Sequence, residues 1–278
     1  MGFDLTIMQM MIDLKAAQVL GKGKVIEFGH SDIFATRAAV EALFEVNNRV
    51  NNLELDVDNL FVGQNKKQDC AEQFYAHLGF DEYASIDLYD ERAKFNLDLN
   101  NVYQEDVYEE KYDLLCNLGT SEHVFNPGNS FINAHNFVKR GGLMTHFLPT
   151  FGHINHGYYN IHPMLLLDLA KVNNYEVEQI IYLDCHQKRS IDYTEYLMNG
   201  GNDIAMFKGD PSFVYTGKEN LEVEREDRPI ILGKFCSSII NILNGDYEGK
   251  FPVYMATNMI FCVFRKINDD PFITPGQS

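Results

Sequence analysis

Residues 112–148 read YDLLCNLGTSEHVFNPGNSFINAHNFVKRGGLMTHFL. This run constrains the fold more than any other part of the chain. An apolar strand, Leu114 to Leu118, ends in a polar loop. A helix follows, then a tight Lys-Arg-Gly-Gly turn, then a second apolar strand, Leu143 to Phe147. Two strands joined through a helix form a parallel unit, because a parallel pair needs a crossover connection. Open sheets of such units bind ligands outside the carboxyl ends of their strands. Asn117, Gly119, Thr120, Ser121, Glu122 and His123 would therefore line that crevice.

The rest of the chain extends the pattern. Leu5 to Leu20 reads as a helix stopped by Gly21, and Lys24 to Phe28 as a strand ending at Gly29. Ser31 can cap a helix running to about Phe44, and Asn47 to Asn52 reads as turn. Lys66 to Leu78 predicts an amphipathic helix with Ala71, Phe74, Tyr75 and Leu78 inward and Gly79 as its stop. Strands are expected at Tyr83 to Leu88, Ala93 to Leu97, Tyr175 to Leu183 and Val253 to Phe264, with a helix over Ile161 to Val172. Alternating strands and helices imply an α/β fold with a mostly parallel sheet. The expected organisation is one domain over residues 1–278, with insertions at about 49–65 and 187–251, the latter holding one apolar helix near Phe235 to Leu243.

Charge and cysteine use restrict the partners. The formal net charge is −17, and no Lys/Arg-rich run supplies the basic footprint that nucleic acid requires, so no nucleic-acid partner is expected. Acidity of this size also disfavours an anionic membrane surface, and no apolar stretch is long enough to cross a bilayer. The apolar start carries Asp4 and Asp13 and lacks a basic leading region, so it reads as a helix and not as a secretion signal. Cys70, Cys116, Cys185, Cys236 and Cys262 are scattered and odd in number, as expected of reduced thiols in a cytoplasmic protein.

The ends of successive strands carry a pattern of their own. The first runs into Glu27-Phe28-Gly29, the second ends at Asp87, the third at Asp98-Leu99 and the fourth at Asn117. Glycine lets a backbone approach a ligand closely, and a carboxylate can accept both hydroxyls of a ribose diol. This succession, with VKRGGLM at residues 138–144, resembles the class I S-adenosylmethionine-dependent methyltransferases. The resemblance covers about residues 20–185 and 253–277. It implies a Rossmann-like sheet of seven strands, mostly parallel with an antiparallel last strand.

It also implies S-adenosylmethionine as cofactor. Glu27, Gly29 and neighbouring His30 would meet its methionine part, Asp87 and Leu88 its ribose, and Asp98 and Leu99 its adenine, with Asn117 and Leu118 supporting it from the fourth strand. Ser31 stands where the family has a second glycine, and about sixty residues separate Glu27 from Asp87 where some twenty are usual. Ser121-Glu122-His123-Val124 is similar to the Glu-His-Val of small-molecule methyltransferases. Asn155 to Pro163 and Pro271 to Gln277 resemble members encoded with bacterial surface-polysaccharide genes.

The implied reaction is methyl transfer, at oxygen, to a small or carbohydrate-type acceptor. His123 is placed to take a hydroxyl proton, since histidine's pKa lies nearest neutrality, and His153 is the second candidate catalytic group. His153, His156 and His162 together invite a metal reading, but their spacing is not that of a zincin, so no metal is expected. Two alternatives stay open: a non-catalytic scaffold of the same fold, and another nucleotide-binding α/β enzyme.

Overall fold

The computed structural model describes residues 2–58, 60–61, 71–104, 111–151, 153, 156–184, 189–192 and 258–276. The expected helix at 235–243, most of the expected insertion at 187–251, the first part of the last strand and three cysteines (Cys70, Cys185, Cys236) lie outside these residues.

Among the described residues, nine strands and five α-helices follow in chain order: β1 (Gly2–Phe3), α1 (Leu5–Ala16), β2 (Gly23–Phe28), β3 (Asp32–Ile33), α2 (Arg37–Asn51), α3 (Ala71–Leu78), β4 (Phe80–Ile86), β5 (Tyr112–Leu118), α4 (Pro127–Phe137), β6 (Val138–Phe151), α5 (Pro163–Val172), β7 (Glu176–Asp184), β8 (Arg189–Asp192) and β9 (Asn258–Arg265). Seven strands form one sheet in the order β4-β2-β5-β6-β9-β7-β8, and β1 pairs with β3 in a small parallel ribbon. The β4, β2, β5 and β6 ladders are parallel, and β9 runs antiparallel to both β6 and β7. This is the expected α/β architecture, mostly parallel and Rossmann-like, with the last strand reversed. A short further antiparallel strand, β8, closes the β7 edge.

Strand order reverses at β2, whose neighbours are β4 on one side and β5 on the other. The chain leaves β2 for β4 and later crosses back to β5. This leaves a crevice at the carboxyl ends of β2 and β5, where connections diverge to opposite faces.

Alternation along β2 and β5 divides the core in two. Val25, Leu114, Cys116 and Leu118 face α1, α2 and α3, packing with Met8, Phe44 and Phe74. Ile26, Phe28 and Leu115 face α4 and α5, packing with Phe131, Phe137 and Leu166. The four residues expected on the inner face of α3 are all buried, and Gly79, at φ 100°, ends the helix. Asp4 caps α1 by accepting from Ile7 N at 2.9 Å. Asp4→Ala should cost about 1 kcal/mol, read as a lowered midpoint in urea unfolding.

Several local expectations change. The segment 93–97 is no strand: Phe95 makes one parallel bridge to Ile86, and the segment otherwise turns on Asp90 and Asp98. Ser31 does not cap the second helix. Thr36 does, because Asp32–Ile33 is drawn into β3. The helix α2 runs through Asn47 to Asn51 because Asn47, only 3% exposed, exchanges hydrogen bonds with Gln9 of α1 and accepts from Asn51. The Lys-Arg-Gly-Gly segment belongs to β6 and is held to the end of β9 by Gly141 N to Lys266 O and Lys266 N to Gly142 O. No helix among the described residues is long and apolar enough to cross a membrane.

Candidate functional site

Two left-handed glycines mark the crevice: Gly29 after β2 at φ 80° and Gly119 after β5 at φ 85°. Such values are costly for a residue with a Cβ, so each strand turns sharply at its carboxyl end. Gly29 N donates to Ile86 O at 2.7 Å, and Thr120 Oγ1 donates to Phe28 O, so β4, β2 and the β5 loop are tied together there.

Glu27 does not face this crevice. Alternation points it to the α3 side, where it is fully buried and accepts from Tyr75 Oη at 2.6 Å and Tyr83 Oη at 2.7 Å. Ser31 adds backbone and side-chain hydrogen bonds. Glu27 thus anchors the Gly29 loop from beneath, its carboxylate engaged by Tyr75, Tyr83 and Ser31. Burial pushes its pKa up to about 7, although the hydrogen bonds oppose that rise. His30 turns its ring to Ser85 Oγ, 2.9 Å away, and against Tyr83, while its N–H reaches Asp87 Oδ2 at 3.3 Å.

Asp87 sits half-buried beyond β4. Its Oδ1 accepts from Tyr89 N at 2.9 Å and Asp90 N at 3.0 Å, so it organises its own turn. With one N–H on Oδ2, the carboxylate retains acceptor capacity there. Leu88 is 42% exposed. Asp98 likewise builds a turn, taking Asn100 N and Nδ2 on Oδ1, and Leu99 is buried in the α4-side core. Arg92 bridges Asp32 and Asp90 at 2.9 and 2.6 Å, joining the β2 loop to the β4 loop.

Asn117 is fully buried, and its contact is through the side chain: Nδ2 donates to Ser121 Oγ (2.6 Å) and His146 Nδ1 (3.0 Å), and Oδ1 accepts from Ser121 N (3.2 Å). Leu118 packs into the α3-side core. Asn117 therefore fixes the start of a 3-10 turn, Ser121–His123, at the carboxyl end of β5.

That turn presents a second constellation. Glu122 is fully buried, yet neither carboxylate oxygen has a hydrogen-bond partner among the described residues. His156 Nε2 lies 3.4 Å and His123 Nε2 3.9 Å from its Oε1. The His123 and His156 rings are 4.9 Å apart, and those of His153 and His156 5.5 Å apart. Burial raises the Glu122 pKa to about 7 and lowers those of His123 and His153, with neighbouring His156 adding to the depression of both. The loop after β6 is pinned over this turn, since Tyr158 N and Tyr159 N both donate to Glu122 O. Gly157 packs so closely on the Glu122 backbone that a Cβ there would come within 2.7 Å.

The expected catalytic pair, His123 and His153, is thus brought into one cluster. Its centre, Glu122 with His156, was less legible. Glu122 is one more polar residue in a loop, and His156 is distant in sequence. His162 stays outside, capping α5 by accepting from Met164 N.

No family model matches the chain, and neither does any curated protein. Solved structures that resemble it include a Bacillus halodurans protein assigned provisionally as a methyltransferase, with 10% identity over 95% of this chain and 99% of that one, TM-score 0.43. A phosphoethanolamine N-methyltransferase 2 of Haemonchus contortus in complex with S-adenosyl-L-methionine shares 11% identity over 93% of this chain and 52% of its own, TM-score 0.40. A SAM-dependent methyltransferase of Archaeoglobus fulgidus shares 12% over 92% and 93%, TM-score 0.36. The superpositions are loose, so the chemistry of the site rests on this chain's own residues.

Proposed function

We infer that the protein transfers a methyl group from S-adenosylmethionine to a hydroxyl of a small or carbohydrate-type acceptor. The observation that carries this reading is the strand-order switch at β2, with left-handed Gly29 and Gly119 at its rim and Asp87 beside it. These residues fit the cofactor. The two glycines let backbone approach a ligand closely, and Asp87 Oδ2 retains room to accept from a ribose hydroxyl. When bound, the cofactor supplies an electrophilic methyl on a sulfonium.

The chain's part is to hold the acceptor oxygen in line and take its proton. His123, 42% exposed in its side chain and next to fully buried Glu122, is placed for the second task. His153 and the exposed Tyr158 shape the acceptor side. A reading of the bacterial surface-polysaccharide kind, with a sugar hydroxyl as acceptor, belongs to the same proposal, as does a cytoplasmic location.

Calorimetry with S-adenosylmethionine and S-adenosylhomocysteine tests it. Native protein should bind both, and Asp87→Asn should weaken binding by about tenfold or more, the value of one hydrogen bond to a charged group. The variant keeps an acceptor for Tyr89 N and Asp90 N, so its turn should survive. No heat with either ligand would overturn the assignment. It would favour a scaffold whose Asp87 serves only its own three N–H partners.

A further inference from the structure

The geometry points to a binding site for one divalent transition-metal ion, held by Glu122 Oε1, His123 Nε2 and His156 Nε2. One ligand atom from each of the three residues lies within 4.8 Å of the other two. A tetrahedral ion with bonds of about 2.0–2.1 Å needs its donors about 3.4 Å apart. The two separations to Glu122 are 3.4 and 3.9 Å. The Glu122–His156 pair already stands at that spacing, and the other pairs, none wider than 4.8 Å, close on rotation of the two exposed imidazoles.

Glu122 supplies the independent indication. A fully buried carboxylate with neither oxygen hydrogen-bonded among the described residues is expensive to ionise, because its charge forfeits hydration, and the groups nearest to Oε1 are the exposed imidazoles of His156 and His123. No hydrogen bond among the described residues compensates it, and a cation bound at Oε1 would. The backbone around it is also over-determined. Asn117 holds the turn from below through Ser121, and the N–H groups of Tyr158 and Tyr159 fix the Glu122 carbonyl from above. These contacts bring His156, thirty-four positions away in sequence, to the carboxylate. His153 Nε2, buried and without a hydrogen-bond partner among the described residues, stands beside His156 as an alternative donor.

A carboxylate with two imidazoles suits zinc or ferrous iron and is a poor cage for magnesium or calcium, which prefer all-oxygen ligands. Three protein ligands leave a coordination position open, the arrangement of catalytic and not structural metal sites. Occupied by an acceptor hydroxyl, that position would lower the hydroxyl's pKa and fix its oxygen for attack, the proton passing to solvent because His123 then spends Nε2 on the ion instead of acting as the base. This use rests on the methyl-transfer reading; the binding of the ion does not.

The test is titration of the metal-free full chain with Zn2+ by calorimetry, and with Co2+ by visible absorption, with S-adenosylmethionine absent. One equivalent should bind, and the Co2+ spectrum should be that of a low-coordinate nitrogen–oxygen site. Glu122→Gln and His156→Ala should each weaken Zn2+ binding by more than the roughly tenfold to hundredfold that loss of an outer partner costs. His162→Ala, at the cap of α5 and outside the proposed ligand set, should leave it unchanged. His156 is exposed, so its variant folds even if Glu122→Gln does not. Absence of stoichiometric binding would overturn the site, as would binding that survives both ligand substitutions. Zinc binding without any cofactor binding would retain the metal site and sink the methyl-transfer reading; cofactor binding without zinc would do the reverse.

Discussion

Measured against Glu27→Gln, the native protein should lose about 2.5 kcal/mol of unfolding free energy between pH 5 and pH 8. Glu27 is a fully buried acid whose pKa is raised from 4.5 to about 7, chiefly by burial. The unfolded chain therefore ionises it near pH 4.5 while the folded chain still holds the proton. Below that value both states are protonated and the group costs nothing. As pH rises through the interval, folding must keep a proton that the unfolded chain has released, and stability falls. Above about pH 7 the folded carboxyl ionises too and the loss levels off.

The amide of the Glu27→Gln variant cannot titrate, so that protein lacks this slope while still offering an oxygen to Tyr75 or Tyr83. Urea unfolding of both proteins at the two pH values gives the double difference, in which every other titrating group cancels. A pH-independent gap between the two would show that the carboxylate stays ionised throughout and that the tyrosine and Ser31 donors outweigh burial.

Glu27 also shows what a sequence can and cannot convey. Its position two residues before Gly29 at the end of an apolar strand was legible, and so was the strand. Its direction was not, because that depends on which sheet face receives α3, and Tyr75 and Tyr83 lie some fifty residues further on. The same reason hid the site. Local periodicity revealed β2, β5, the inner face of α3 and the polar loop after β5, each encoded within a short run of neighbouring residues. The meeting of Glu122 with His156 is encoded by nothing local. It follows from the Gly157 contact and from two N–H groups converging on one carbonyl. The expected strand at 93–97 fails for a related cause. Its apolar residues are real, but Asp90 and Asp98 spend their carboxylates on turns at either end, leaving one bridge in place of a ladder.

Asn117→Leu should cost on the order of 3 kcal/mol and release the site from the sheet. Leucine keeps the γ-branched heavy-atom skeleton of asparagine, so the principal loss is of hydrogen bonding. It leaves Ser121 N, Ser121 Oγ and His146 Nδ1 without their partner in a fully buried setting. Each orphaned buried group costs about 1–3 kcal/mol, and partial relaxation of the Ser121 hydroxyl keeps the total near the lower end. Burial holds His146 at a pKa of about 3, so it stays neutral and cannot recover the loss by ionising.

The functional effect should exceed the stability effect. Ser121 begins the turn that carries Glu122 and His123, and Asn117 is its link to β5. Under conditions where the variant remains folded, Zn2+ affinity should fall together with methyl transfer, while S-adenosylmethionine binding at the Gly29 rim should change little. Ser121→Ala, which removes only the hydroxyl, should show a smaller version of the same pattern. If Asn117→Leu loses stability but keeps the turn's chemistry intact, the turn must be held by its other two ties. These are Thr120 Oγ1 on Phe28 O and the Tyr158 and Tyr159 N–H groups on Glu122 O.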